Sequence, residues 1–196
     1  MSFGSRPTNS NKLATCSNGM TFDNPKSLKK KLKKLKRVQQ GLSRKQKGSK
    51  NREKAKKLVQ KVHYKISNIR KDALHKATSA IVRTKPLAVV LEDLNVSGMM
   101  KNRKLSRSIA DASFYEFRRM LEYKLEWIGS KVLLADRFYP SSKLCSGCGN
   151  KKEELNLSER VYVCDSCGLE LDRDYNASLN LRSVYSCSTT ASSAGS

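Results

Sequence analysis

The chain of 196 residues carries a formal net charge of +23, because 40 Lys and Arg residues face only 17 Asp and Glu residues. Its length suits one domain, or one domain with a small appendage, and its hydrophobic fraction of 38% is too high for a wholly disordered chain. No apolar run approaches the roughly 18 residues that a membrane span needs, and no secretory signal is recognisable. We therefore expect no membrane partner, and a cytoplasmic, nucleoid-associated protein that binds a polyanion.

Most of the excess charge lies in one segment. Residues 26–76 contain 21 Lys and Arg but only two acids. Apolar residues recur there every three or four positions, which predicts two helices, at about 27–42 and 51–83, joined through the Gly- and Ser-containing stretch 41–50. The two apolar stripes are formed by Leu28, Leu32, Leu35, Val38 and Leu42, and by Leu58, Val62, Ile66, Ile69 and Ala73.

A helical hairpin this basic repels itself unless a polyanion neutralises it. Phosphate backbones suit this role, because their neutralisation releases condensed counterions. A solvated basic face and a helix on an anionic membrane remain open as alternatives, although the narrow aliphatic stripes lack the broad aromatic face of membrane-surface helices. We predict nucleic-acid contacts from Lys29, Lys30, Lys33, Lys34, Lys36, Arg37, Arg44, Lys45, Lys54, Lys57 and Lys61.

After the hairpin, the pattern changes to strand, helix and strand. Residues 87–96 form an apolar run of strand length that contains Glu92 and Asp93 near its end, where α/β sheets collect their reacting groups. Residues 111–130 have apolar side chains at helical spacing, and 131–136 is a second short apolar run. This order predicts a crossover connection and parallel strands. The apolar side chains of the helix are expected to pack on the sheet, and they are Phe114, Phe117, Leu121, Leu125 and Ile128.

Two Cys-x-x-Cys-Gly motifs follow, with fifteen residues between the second and third cysteines. This spacing is typical of zinc ribbons, in which each motif directs two thiolates at one ion. A pair of disulfides and a redox motif are the alternatives, and a reducing cytosol disfavours the first. We predict a structural zinc ion, with no open position for catalysis, that is bound by Cys145, Cys148, Cys164 and Cys167.

The last predicted helix, within 169–185, begins with two acids, Asp172 and Asp174. Capping of the helix N-terminus explains such acids without any chemistry. A second interpretation joins the helix to Glu92, because two carboxylates can hold Mg²⁺ for a nuclease reaction. The small and polar tail, 186–196, is predicted to be disordered.

Several of these segments resemble the TnpB/OrfB transposon-associated family. They are VVLEDLNVSGM at 89–99, the first cysteine motif with its preceding SSKL at 141–149, the second motif at 164–168, DRDYNASLN at 172–180 and, more weakly, 11–40. Members of that family are RNA-guided DNA endonucleases, related to the type V CRISPR nucleases. The resemblance implies an α/β fold with an incomplete RNase H-like (RuvC) sheet, a long basic helical hairpin and an inserted zinc ribbon.

The resemblance also implies roles for individual residues. Glu92 matches the second catalytic acid and Asp174 the third, which together would bind catalytic Mg²⁺. Asp172 matches a position of the motif that is not a metal ligand, and the four cysteines match the zinc ligands. DNA and a guide RNA are the implied partners.

The chain departs from the family pattern at its start. The first catalytic Asp should precede the Leu-Ala-Thr of 13–15, but no Asp occurs before Asp23 and Pro7 stands near the expected position. Family members are considerably longer, so we expect a truncated copy of the C-terminal half that lacks the opening strand of the sheet. The implied parts are a remnant of the N-terminal strands at 1–24, the hairpin at 25–84, the core at 85–142, the zinc ribbon at 143–168, the last helix at 169–185 and the tail at 186–196.

Two functions remain open from the sequence. The first is a metal-dependent, RNA-guided endonuclease of a transposable element, whose cleavage is impaired or lost without the first acid. The second is a nuclease-dead nucleic-acid-binding relic or regulator. An unstable product is a further possibility, because an incomplete sheet exposes backbone and apolar surface.

Overall fold

A computed structural model describes residues 2–4, 12–95, 98, 101, 113–156 and 159–191 of the chain. The strands are β1 (Ser2–Gly4), β2 (Lys12–Cys16), β3 (Thr21–Asp23), β4 (Ala88–Glu92), β5 (Lys131–Ala135), β6 (Val161–Val163) and β7 (Glu170–Asp172). The helices are α1 (Ser27–Ser43), α2 (Lys50–Arg83), α3 (Phe114–Glu126) and α4 (Arg173–Ala191). Among the described helices, none is both long enough and apolar enough to cross a bilayer.

Five strands form a mixed sheet in the order β3-β2-β1-β4-β5. The pairs β1–β2 and β2–β3 are antiparallel, whereas β1–β4 and β4–β5 are parallel. The predicted strand at 87–96 is thus confirmed as a buried inner strand, and its parallel pairing with the strand after α3 is confirmed as well. Strands β6 and β7 form a separate antiparallel hairpin.

The expectation that the opening strand of the sheet is absent was wrong. Ser2–Gly4 lies in the middle of the sheet, where it pairs with β2 on one side and β4 on the other. Strand pairing uses backbone N–H and C=O groups, so three residues without an apolar pattern can still fill this place. Such a strand leaves no signal in the periodicity of the sequence.

Alternate residues of β4 face opposite sides of the sheet. Val89 and Leu91 pack in the core with α2 and α3, whereas Val90 packs with Leu181 of α4. Because side chains alternate along a strand, Glu92 lies on the same face as Val90, at the C-terminal end of β4. The sheet therefore presents Glu92 to the side that α4 covers.

Helices α2 and α3 cover the other face with the larger core. The predicted packing of α3 is confirmed for Phe117, Leu121 and Leu125, which are all buried. It is wrong for Ile128, which is 42% exposed because the helix ends at Glu126 and the chain turns away. The beginning of the predicted helix, 111–112, lies outside the described residues.

Lys124 is buried within this core, where its described hydrogen-bond partners are uncharged. Its ammonium group donates to the hydroxyls of Thr78 and Ser79, at 2.7 and 2.9 Å, and to the carbonyl of His75 at 3.2 Å. Burial lowers the pKa of Lys124. These hydrogen bonds join α3 to α2.

The predicted helical hairpin is confirmed as α1 and α2, which meet in a small core of their own. That core contains Leu35, Val38, Val62 and Ile66. Two residues assigned to the stripes from their spacing, Leu32 and Leu58, are instead 37% and 47% exposed, and Val59 packs in place of Leu58. The reason is that neighbouring helix positions are about 100° apart, so the facing stripe runs through 59, 62 and 66.

The turn between α1 and α2 is held by the side chain of Arg52, which was not predicted from the sequence. The guanidinium of Arg52 donates to the carbonyls of Leu42 and Lys45, at 3.2 and 3.0 Å. Ser49 caps the start of α2 by accepting from the backbone N–H of Arg52 at 3.2 Å. The sharp turn between two strongly basic helices is therefore stabilised by backbone acceptors rather than by acidic residues.

Helix α4 is longer than predicted. Disorder was expected from residue 186, but the helix continues to Ala191, so that expectation was wrong for 186–191. The sequence contains neither Gly nor Pro between Arg173 and Ala194. No strong helix breaker therefore ends the helix near residue 186, where the apolar pattern stops. The rest of the predicted tail, 192–196, lies outside the described residues.

We expect the contact of α4 with the sheet to depend on Leu181, which is fully buried against Val90 and Ala135. Leu181→Ala should lower the free energy of unfolding by about 2–5 kcal/mol, because it removes a buried side chain and leaves a cavity. Leu87→Ala, at a position that is 85% exposed, should change it by less than about 0.5 kcal/mol. Urea denaturation followed by circular dichroism measures both values, and equal midpoints for the two variants would contradict this packing.

Candidate metal centre and carboxylate site

The two cysteine motifs fold into equivalent turns. In each, the N–H of the glycine donates to the carbonyl of the first cysteine, Gly149 to Cys145 at 2.9 Å and Gly168 to Cys164 at 3.0 Å. Both glycines have a positive φ, 76° and 72°, which explains why glycine follows each second cysteine. Local backbone chemistry thus points two thiols of each turn in one direction.

The two turns bring all four thiols together. The ligand atoms of Cys145, Cys148, Cys164 and Cys167 lie within 4.8 Å of one another. Two pairs across the cluster, Cys145–Cys167 and Cys148–Cys164, have Sγ–Sγ distances of 3.6 Å. A tetrahedral zinc ion with Zn–S bonds of about 2.3 Å requires about 3.8 Å between sulfurs. The cluster therefore has the donors and the spacing to hold a metal such as zinc.

The ribbon has a small core of its own around the cysteines. Tyr162 of β6 is fully buried there and its hydroxyl donates to the carbonyl of Lys143 at 3.3 Å. Backbone hydrogen bonds, first that from the N–H of Cys167, lower the pKa of Cys164 to about 6. The N–H of Leu169 lowers the pKa of Cys167, but contacts with the other three thiols outweigh it and raise that pKa to about 12. The two thiols of this turn therefore ionise unequally.

A fifth cysteine, Cys16 of β2, is buried in the main core, and burial raises its pKa to about 12. It lies outside the cluster of four cysteines. A thiol of this kind serves packing rather than metal binding or nucleophilic chemistry.

Asp172 caps α4. One of its carboxylate oxygens accepts from the backbone N–H groups of Asp174 and Tyr175, each at 3.0 Å. The other oxygen accepts from the ammonium of Lys12 at 3.0 Å, which joins the helix start to β2. Burial raises the pKa of Asp172, but the hydrogen bond from Lys12 and that from Tyr175 outweigh it and leave the pKa below its usual value. The capping interpretation is thus correct for Asp172.

Asp174 lies two residues further along and is in a different environment. Its side chain is 13% exposed and its nearest cation, the guanidinium of Arg173, is 3.6 Å away. Burial raises the pKa of Asp174 against the lowering effect of Arg173. A buried carboxylate with a raised pKa gains from a nearby divalent cation, which replaces the lost solvation.

Glu92 lies at the edge of a cavity of about 60 Å³ between the ends of β4 and β5 and helix α4. Its Oε1 atom accepts from the hydroxyl of Ser141 at 2.6 Å. The neighbouring Asp93 is bound by the guanidinium of Arg137, whose two nitrogens lie 2.6 and 3.0 Å from one oxygen. Asp136 and Leu181 also line this cavity.

The four cysteines are the only group of three or more His, Cys, Asp or Glu side chains, within the described part of the chain, that is close enough to share a metal. Glu92 and Asp174 belong to no such group. Both are oxygen donors of the kind that Mg²⁺ prefers, and a hydroxyl that orients Glu92 is typical of metal-binding carboxylates. Glu92 lines the cavity at the end of β4, whereas Asp174 is not among the residues that line it.

The residues that connect these sites were not predicted from the sequence. Asn176 and Asn180 of α4 are 0% and 5% exposed, and their side-chain amides donate to the carbonyl of Leu144, each at 2.7 Å. Two Asn residues four positions apart on a helix share one face. That spacing, next to small residues, was the available signal for a polar contact buried under the helix.

The basic residues assigned to nucleic-acid contacts lie in α1, in the turn after it and in the first half of α2. All of their side chains that the structure describes are exposed, and the side chain of Lys30 is not among those described. The described members are Lys29, Lys33, Lys34, Lys36, Arg37, Arg44, Lys45, Lys54, Lys57 and Lys61.

We expect the isolated protein to contain one zinc ion, and Cys164→Ser to lose most of it because one of four thiolates is removed. Cys16→Ala should retain the metal, because Cys16 belongs to the main core, whereas the cysteine cluster belongs to the separate core of the ribbon. Zinc analysis of the purified proteins checks this. Removal of zinc from the wild type should also accelerate hydrogen exchange across 143–172 while α2 stays protected. Full zinc content in Cys164→Ser would contradict the assignment.

Two family models match the chain. The model described as "Probable transposase" matches residues 9–103, and the model of the "Cas12f1-like, TNB domain" matches residues 114–181. The first covers β2, β3, the basic hairpin and β4, and begins after β1. The second covers α3, β5, the cysteine cluster and the first half of α4.

Relatives of the chain are named as RNA-guided DNA endonucleases or as TnpB-like proteins. A protein of Streptomyces pristinaespiralis is 46% identical over 123 residues, which is 63% of this chain and 30% of that protein. InsQ of Escherichia coli K12 is 38% identical over 185 residues, 87% of this chain and 46% of InsQ. Both names describe an RNA-guided DNA endonuclease. The chain thus spans less than half the length of either relative.

Solved structures with a similar fold come from Cas12f complexes. A Cas12f1 complex with guide RNA and target DNA aligns with a TM-score of 0.57 at 21% identity, over 83% of this chain and 43% of the other. A Cas12f ternary complex aligns with a TM-score of 0.59 at 24% identity, over 83% and 34%. The fold is therefore the mixed α/β fold of these proteins. With both family models and the relatives in agreement, the chain is a partial member of the TnpB family.

Proposed function

We propose that this chain is a nucleic-acid-binding protein of a transposable element, built on an RNA-guided DNA endonuclease but impaired or inactive in cleavage. The basic hairpin would bind the phosphate backbone of DNA and guide RNA, the cysteine cluster would hold structural zinc, and Glu92 and Asp174 would be the remaining catalytic acids. The basic hairpin is the observation that carries this proposal most directly.

Charge and exposure support the hairpin as the nucleic-acid surface. The predicted contacts are exposed along α1 and the first half of α2, while the acids in the segment 26–76 are limited to Glu53 and Asp72. Asp72 is already paired with Lys76 at 2.8 Å, on the part of α2 nearer the sheet. The outer part of the hairpin thus presents positive charge that its one acid, Glu53, cannot balance and that an anionic partner would neutralise.

The sheet and the ribbon support a RuvC-type, RNase H-like core. The mixed sheet carries an acid at the end of an inner parallel strand, and the cysteine ribbon is inserted between β5 and α4. Glu92 and Asp174 would bind Mg²⁺ from the face of the sheet covered by α4. When bound, Mg²⁺ would position the attacking water and stabilise the leaving oxygen of the phosphodiester.

The position of β1 supports impaired cleavage. Phe3 pairs with Leu91, so the next residue, Gly4, lies beside Glu92 in the parallel register. Glycine has no side chain that can bind a metal, and the sequence contains no Asp before Asp23. We therefore propose that Gly4 stands where a complete nuclease of this type holds a further acid, and that DNA cleavage, recombination and transposition by this chain alone are lost or weak.

Binding of nucleic acid should depend steeply on salt. Changing Lys33, Lys36, Lys54 and Lys57 to Gln should weaken binding at least tenfold. It should also flatten the slope of log K against log salt, by about 0.9 for each phosphate of duplex DNA that the variant no longer neutralises. Fluorescence anisotropy with labelled RNA and duplex DNA, from low to high salt, measures both quantities.

The matched control changes four exposed lysines outside the outer hairpin, Lys85, Lys101, Lys131 and Lys151, to Gln. This control variant removes the same number of positive charges from other parts of the molecule. It should therefore bind more tightly than the hairpin variant and keep a steeper slope of log K against log salt. Equal losses in the two variants would show that net charge alone acts, and a flat salt response of the wild type would refute phosphate binding by the hairpin.

Cleavage distinguishes this proposal from an active endonuclease. With Mg²⁺, co-expressed RNA and target DNA, we expect the wild type to cut no faster than Glu92→Gln, and the two proteins to bind nucleic acid with affinities within twofold. Cutting assays on supercoiled and linear DNA measure the first, and anisotropy the second. Efficient cutting by the wild type that is lost in Glu92→Gln would instead establish an active nuclease.

A further inference from the structure

The segment before the first cysteine motif contacts the acid at the end of β4. The hydroxyl of Ser141 donates to Oε1 of Glu92 at 2.6 Å, and Ser141 is only 1% exposed. The two residues are 49 positions apart in the sequence. A short hydrogen bond from a buried hydroxyl to a carboxylate restricts the rotation of the carboxylate, and so determines the direction of its oxygens.

Ser141 is itself held by α4. The amide of Asn180 donates to the carbonyl of Ser141 at 2.8 Å and to that of Leu144 at 2.7 Å. Asn176 extends this contact into the first cysteine motif, because its amide oxygen accepts from the N–H of Ser146 at 3.0 Å. The backbone from 141 to 146 is therefore fixed to α4 at both ends, and Cys145 lies within it.

We propose that Ser141 is a positioning residue for Glu92, and that the ribbon and α4 together set the orientation of this acid for a divalent cation. The inference rests on the proposed metal-binding role of Glu92. Zinc then acts on the carboxylate site at a distance, since the motif that contains Cys145 also anchors the backbone of Ser141. Hydrogen-bond partners of metal-binding carboxylates change metal affinity by about 10–100-fold when they are removed.

The neighbouring residue supplies a matched control. Ser142 is also a buried serine, 4% exposed, in the same turn. Its hydroxyl has no hydrogen-bond partner among the described residues. Ser141→Ala and Ser142→Ala thus remove the same atom from adjacent buried positions, and only the first removes a contact with Glu92.

The test measures Mn²⁺, in place of Mg²⁺, by electron paramagnetic resonance on the zinc-loaded chain. We expect the wild type to have a Mn²⁺ site that Glu92→Gln eliminates. Ser141→Ala should weaken that site by about tenfold or more, and Ser142→Ala should stay within twofold of the wild type. Co²⁺ substituted at the cysteines reports the ribbon independently, through its thiolate absorption band, which should be the same in all four proteins.

Each result decides the inference. If Ser141→Ala binds Mn²⁺ within twofold of the wild type while Glu92→Gln has lost the site, the positioning role is overturned and the proposed function stands. If the wild type has no Mn²⁺ site, or if Glu92→Gln retains it, the metal-binding role of Glu92 and this inference both fail. If Ser141→Ala loses the Co²⁺ band or does not fold, Asn180→Ala replaces it with the same expectation, because it releases the backbone of Ser141 without touching Glu92.

Discussion

The packing of α4 on the sheet is the contact on which the rest of the structure depends. Leu181 is buried against Val90 and Ala135, which covers the second face of the sheet. The same helix begins with the cap at Asp172, whose link to Lys12 ties it to β2. Without α4, one face of the sheet would lose its apolar cover.

The helix also joins the two sites of the molecule. Its buried asparagines hold the chain that leads into the first cysteine motif. Buried amide groups are costly unless their hydrogen bonds are made, so these contacts specify one position of the ribbon relative to the helix. The arrangement brings Ser141 to Glu92, which lies 49 positions earlier in the chain. The orientation of the acid at the end of β4 thus depends on segments that come much later in the sequence.

The basic hairpin follows a different physical logic. Its core is small, with Leu35, Val38, Val62 and Ile66 as its buried members, and its surface repels itself. The extension of α2 into the main core, where Leu74, Ala77 and Ile81 are buried, fixes one end of the hairpin to the sheet. A rigid base and a charged outer part are suited to binding an extended polyanion, because the charges are held in place before the partner arrives.

The sequence by itself determined the features that rest on local chemistry. Cysteine spacing predicted the cluster of Cys145, Cys148, Cys164 and Cys167, because each Cys-x-x-Cys-Gly turn is closed by its own backbone. Helical periodicity predicted α1, α2 and α3, and an apolar run predicted β4 with Glu92 at its end. The errors at Leu58 and Ile128 arose because the packed stripe of α2 and the end of α3 each lie only a few positions from where the periodicity placed them.

Only the tertiary structure decided the features that join distant segments. The strand Ser2–Gly4 exists because β2 and β4 supply its backbone partners. No side-chain pattern in the sequence predicts such a strand. Asp172 and Asp174 look alike in the sequence, but one caps α4 while the other is buried with a raised pKa. The roles of Ser141, Asn176 and Asn180 likewise depend on their partners, because a polar side chain acquires a function only from the groups that the fold places within hydrogen-bonding distance.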